Sequence, residues 1–209
     1  ARADAIKAAA EKGRTQRLAD KQNEASKQLA QNQTAGATEL QDQASATLQE
    51  MLDELDKGDQ KRDEALRRVL ADVLDSIKRL IASQETELDR LAKSVAGDAG
   101  APAPSALDTA LISLNQNTLG VAQRVREEIK SAQKLLSLLR SASDAQGDAI
   151  SALRLSPADT GEADQAERSS LARLKDALAK AEKLDQQAED RDQQRQRAEL
   201  KKAYQEALE

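Results

Sequence analysis

Carboxylate pairs are the side chains of this sequence that come nearest to catalytic spacing. Glu50 with Glu54, Glu85 with Glu87, and Glu127 with Glu128 could in principle divide acid and base roles. Such work needs one member tuned toward neutrality, and the common partners for it, histidine and cysteine, are both absent. The pairs therefore read as exposed helix charge. The acidic runs fare no better as calcium loops: "DKGDQKRDE", Asp56 to Glu64, has the wrong ligand spacing and carries cations, and "DTGEAD" is too short. "GDAGAPAP" lacks the Lys-Ser or Lys-Thr of a phosphate loop. No enzyme, cofactor or metal centre is expected.

The second candidate is the polar stretch "SLNQNTLGVAQRV", Ser113 to Val125, set inside an apolar-periodic segment. Leu107, Leu111, Leu114, Thr118, Val121, Val125, Ala132, Leu135, Leu139, Ala142, Ala149 and Leu153 hold a heptad register, with Glu128 and Gln146 as its polar exceptions. Thr118 enters the seam, while Asn115, Gln116 and Asn117 fall at flanking and outer positions. Asn115, Asn117, Thr118 and Gln146 are the candidate polar interhelical layer, a device that fixes which helix meets which. The spacing predicts one uninterrupted helix, with Gly120 tolerated at about 1 kcal/mol.

The elements that carry these residues are all helical in expectation. Of 209 residues, 33% are charged and 39% hydrophobic, and Tyr204 is the one aromatic, so the large buried rings of ordinary cores are missing. Abundant Ala, Leu, Glu, Gln, Lys and Arg with three prolines matches long helices or coiled coils. Leu66, Leu70, Val73, Ile77 and Leu80 step by four and three, and Val69, Leu74 and Ile81 widen the stripe beyond a two-stranded seam, which favours a bundle. "VAGDAGAPAPS", Val95 to Ser105, and "LSPADTGEA", Leu155 to Ala163, break the helices. Ser105 with Asp108 restarts one, and Pro157 or Thr160 the next. Leu171, Leu174, Leu178 and Ala181 then run in register, followed by a weak stripe of Ala198, Leu200, Ala203, Tyr204, Ala207 and Leu208.

The fold expected is all-α: an elongated antiparallel up-down bundle with coiled-coil-like packing, a single domain over 1–209 and a fragment of something larger. Its helices span about 2–55, 60–96, 105–154 and 162–208, with linkers at 97–104 and 155–161. Four helices, with a turn at Gly58, are favoured over three with one very long first helix. Against the turn, Leu48, Leu52, Leu55, Asp59, Arg62, Leu66 and Val69 keep one register through it.

Net charge of −5 argues against a nucleic-acid surface, and Lys7, Arg14 and Lys21, one heptad apart, read as a solvated face. The near absence of aromatics argues against lipid-surface binding, and no apolar run is long enough to span a bilayer. The expected partners are other helices, including self-association through 1–39 and 188–209, where large aliphatics are sparse. The function expected is a non-enzymatic scaffold, spacer or interaction domain of a larger protein, with a lean to the extracytoplasmic part of a membrane-anchored one. The alternative is a ligand-sensing bundle whose pocket is lined by Asn115 to Thr118 and Gln146.

Overall fold

The computed structural model describes residues 2–206, so Ala207 and Leu208 of the terminal stripe lie outside the described residues. The chain is all-α but has six α-helices there, not three or four: α1 (Arg2–Thr15), α2 (Leu18–Ala30), α3 (Thr34–Ala96), α4 (Asp108–Glu128), α5 (Gln133–Leu153) and α6 (Thr160–Glu206), with a 3₁₀ turn at Pro104–Leu107. It divides into two compact units, Ala1–Ala65 and Leu66–Glu209, with the boundary inside α3.

Three differences from the expected helices have distinct physical reasons. Gly58 does not turn the chain. Ending a helix there would orphan backbone donors and acceptors on both sides, whereas one interior glycine costs about 1 kcal/mol. The reversal occurs instead at Asn32, which takes a left-handed φ of 59°. Gln33 N donates to Gln28 O at 2.9 Å and Asn32 N to Leu29 O at 3.1 Å, the paired bonds of a Schellman stop. Asparagine is the residue besides glycine that enters this region readily. α3 ends by the same device with Gly97, at φ 72°, and Asp98 N donating to Lys93 O.

A further reversal splits the expected 105–154 helix at 129–132. No glycine or proline marks it. Ile129 leaves the helical region at φ −122° and ψ 70°, and Ala132 N donates to Ile129 O. Heptad spacing cannot detect such a turn, because each arm of a helical hairpin carries its own seam. Folding back buries Val125 and Ile129 of one arm with Ala132, Leu135 and Leu139 of the other, each large aliphatic contributing roughly 1.5–3 kcal/mol. The restart signals also differ. No side chain caps α4, and α6 begins on Asp159, whose Oδ1 accepts from Glu162 N at 2.9 Å, rather than on Pro157 or a capping Thr160.

In the first unit, α1 and α2 run back along the opening half of α3. Its buried apolar residues are alanines: Ala5, Ala9, Ala25, Ala37 and Ala44. Ile6, Leu29, Leu48 and Leu52 stay exposed. Between α1 and α2, Arg17 adopts a left-handed φ of 53°. Beside this break, Gln16 Nε2 donates to Glu50 at 2.8 Å, Thr47 Oγ1 donates to Gln16 Oε1 at 2.7 Å, and Lys12 pairs with Glu50 at 3.3 Å. A Cβ on Gly13 would meet Met51 Sδ at 2.9 Å, so a larger residue there would require the flexible Met51 side chain to shift.

In the second unit, the later part of α3 packs with α4, α5 and α6, each helix running back along the one before. Its core is of another kind, with Leu70, Val73, Ile77, Leu111, Leu135, Leu139, Leu153 and Leu174 all fully buried. The α4–α5 hairpin is clasped by Arg154 Nε to Asp108 Oδ2 at 2.9 Å.

Candidate functional site

Extending the four-and-three steps of α3 beyond Leu80 reaches Gln84, Glu87 and Leu91, and the side chains at all three are buried. On α6 the same steps link Ala163, Glu167, Ser170, Leu174, Ala177 and Ala181, all buried as well. Leu171 and Leu178 flank this seam instead of forming it. Polar residues thus occupy interior positions of three helices at one level, where helical periodicity forces them inward.

Gln84 is the hub. Its Oε1 accepts from Gln146 Nε2 on α5 at 2.9 Å and from Ser170 Oγ on α6 at 3.0 Å, while its Nε2 donates to Glu167 Oε2 at 3.2 Å. Such bonds contribute about 0.5–1.5 kcal/mol each, whereas a buried polar atom left unpaired costs about 1–3 kcal/mol. Three atoms here have no hydrogen-bond partner: Glu167 Oε1, Glu87 Oε2 and Gln146 Oε1. Glu87 is held at its outer edge by Arg90 Nη1 at 2.9 Å.

Burial pushes the Glu167 carboxyl up to about 7, helped by the nearby charges of Glu87 and Asp164 and opposed by the Gln84 hydrogen bond. Burial also raises Glu87, against the attraction of Arg90. A carboxyl that titrates near neutrality inside a packed core can hold a proton.

The four sequence candidates do not form one layer. Gln146 joins the Gln84 hub. Asn115 Nδ2 donates instead to Ser143 of α5, at 2.6 Å to its carbonyl and 3.0 Å to its hydroxyl. Thr118 is fully buried and bonds back to Leu114 O of its own helix. Asn117 faces a cleft of about 520 Å³ between α3 and α4, lined by Ser76, Arg79, Ser83, Gln116, Gly120 and Arg124 over a floor of Leu80 and Val121. Gln146 does not line that cleft. One carboxylate pair separates too: Glu85 reaches Lys175 at 2.9 Å on the surface, while Glu87, expected to be exposed, is buried. Gln84, Glu87, Glu167 and Ser170 are the residues that sequence reasoning missed. The seam extended from Leu80, and stepped backward from Leu174, is the signal that finds them.

Among the described residues no group of three or more acidic side chains is placed to hold a metal ion. No helix among them is long and apolar enough to cross a membrane. No protein-family model, curated protein or solved structure matches the chain.

Proposed function

We propose that this chain is a non-enzymatic helical scaffold whose outer helices present an interaction surface to other helices, further copies of itself included. One observation carries this reading. The arms expected to associate keep small residues inside and bulky apolar ones outside: Ile6 is 53% and Leu29 47% exposed, and toward the far end Leu200 is 60% and Tyr204 72% exposed. Apolar side chains of this size gain most from being covered, at about 25 cal/mol per Å² removed from water.

The polar hub suits the same role. A buried hydrogen-bonded layer penalises alternative helix pairings, and a scaffold needs one register. Light scattering across a concentration series tests the proposal. Mass should rise with concentration in the parent chain and stay monomeric in the double variant Leu29→Glu, Leu200→Glu; a concentration-independent monomer for both would discard it. We extend the reading to the extracytoplasmic part of a membrane-anchored protein, with which a cysteine-free chain is compatible. Fractionation of source cells checks that placement, and recovery from the cytoplasm alone would reject it.

A further inference from the structure

The cleft between α3 and α4 carries an inference that does not rest on the scaffold reading. Its lining contains two guanidinium groups, Arg79 and Arg124, two hydroxyls, Ser76 and Ser83, and two amides, Gln116 and Asn117, but no carboxylate. A second groove makes the contrast: at about 500 Å³ it also has two arginines, Arg126 and Arg140, but its lining includes Glu127. Some arginines lean on acids of their own helix, as Arg168 does on Asp164 at 2.7 Å and Arg90 on Glu87 at 2.9 Å. Among the described residues, the Arg79 side chain donates to Ser76 Oγ at 3.4 Å.

Gly120 is the second observation. It lies inside α4, where alanine would favour the helix by about 1 kcal/mol, and a Cβ built on it would meet nothing within 4 Å. Packing within the protein therefore does not require a glycine. The missing side chain leaves the helix backbone bare in the lining of the cleft. Guanidinium groups match the planar oxygen edges of phosphate and carboxylate, and two of them suit a doubly charged group. The floor of Leu80 and Val121 would cover an apolar body attached to it, and the volume falls in the range of small-molecule sites.

We propose that the α3–α4 cleft binds a phosphomonoester, its dianion held by Arg79 and Arg124 and its apolar portion laid over Leu80, Val121 and the open backbone at Gly120. Phenyl phosphate is the probe, titrated into the full chain and followed by amide chemical shifts, with phenol and inorganic phosphate as controls.

Saturable shifts at Ser83, Asn117 and Gly120 are expected with phenyl phosphate and weaker ones with either control. Arg79→Gln and Arg124→Gln should each weaken binding tenfold or more, while Arg140→Gln, in the second groove, changes it less than twofold. Gly120→Ala should raise the melting temperature yet weaken binding, a combination that a purely structural glycine would not give. Absence of saturation up to about 10 mM, which corresponds to under 3 kcal/mol of binding, would overturn the proposal. So would equal losses in Arg140→Gln and Arg124→Gln, the mark of diffuse charge attraction. Flotation with phosphatidic acid vesicles separates the sources of the phosphate. Co-flotation abolished by Arg124→Gln assigns it to a lipid headgroup, and its absence alongside phenyl phosphate binding assigns it to a soluble ester.

Discussion

Glu167 shows how one residue ties stability to pH. Its carboxyl titrates near 7 in the folded chain, against an ordinary value of 4.5. Between those values the folded state holds a proton that the unfolded state has released, so unfolding free energy falls as pH rises. The loss begins near pH 4.5 and is complete above 7. A shift of one unit corresponds to about 1.4 kcal/mol, and with solvent screening at the edge of the layer the loss is about 2–3 kcal/mol. The groups facing Glu167 are Glu87 and Gln84 of α3 and Asp164 of its own helix; Glu87, also raised, adds to the slope in the same direction. Glu50, lowered by its bonds to Gln16 and Lys12, and Asp108, lowered by Arg154, act in the opposite sense, but only below the ordinary carboxylate range. With no histidine in the chain, no imidazole titrates in the window from pH 5 to 8, where the change at Glu167 falls. The parent chain should melt several degrees lower at pH 8 than at pH 5. Glu167→Gln should flatten that difference, and thermal melts at the two pH values provide the check. A second residue with a local role is Asp159, where Asp159→Ala should cost about 1 kcal/mol through loss of the α6 cap, read as a lower urea midpoint with an unchanged slope.

At the scale of elements, the legible part of the sequence was what periodicity controls. The Leu66–Leu80 stripe, the loop with Gly97 and Pro104, and the inward position of Gln146 all follow from spacing. Reversals were legible only where a residue of special backbone preference marked them, and the preference was ambiguous. Gly58 resembles a helix stop yet lies inside α3, while Asn32, a weaker signal, makes the turn. At Ile129 the reversal has no local marker, being set by what the two arms bury against each other. The missed layer has a different cause: Glu87 reads as exposed charge because polar residues are mostly exposed, and Gln84, Glu167 and Ser170 carry no apolar mark, although the register places all four inside. The assignment of the turn to Asn32 is testable. Asn32→Val forces a branched side chain into the left-handed region and should destabilise by about 1–2 kcal/mol, whereas Asn32→Gly should be neutral or stabilising. Chemical denaturation of both variants decides it, and a benign valine would mean that α2 and α3 do not reverse there.

For the molecule as a whole, the contrast between cores governs how it comes apart. The second unit buries leucine, isoleucine and valine in quantity, and its helices also meet through the buried hydrogen bonds of Gln84 with Gln146 and Ser170. The first unit encloses alanines, which remove little apolar area from water, and relies on the clasp of Gln16, Thr47, Lys12 and Glu50. Hydrophobic stabilisation scales with apolar area buried, so the two units should not share one cooperative transition. Amide exchange at neutral pH should show residues of α1 and α2 exchanging through openings that cost far less than those exposing α5, as expected for cooperative units of unequal stability. Leu139→Asp, which places a charge at a fully buried position, should collapse protection in α4, α5 and α6 together. The weaker protection of α1 and α2 should survive only to the extent that α3 remains helical without its bundle. Uniform protection across both units would contradict the division, because it would require the alanine-cored helices to draw their stability from the leucine core.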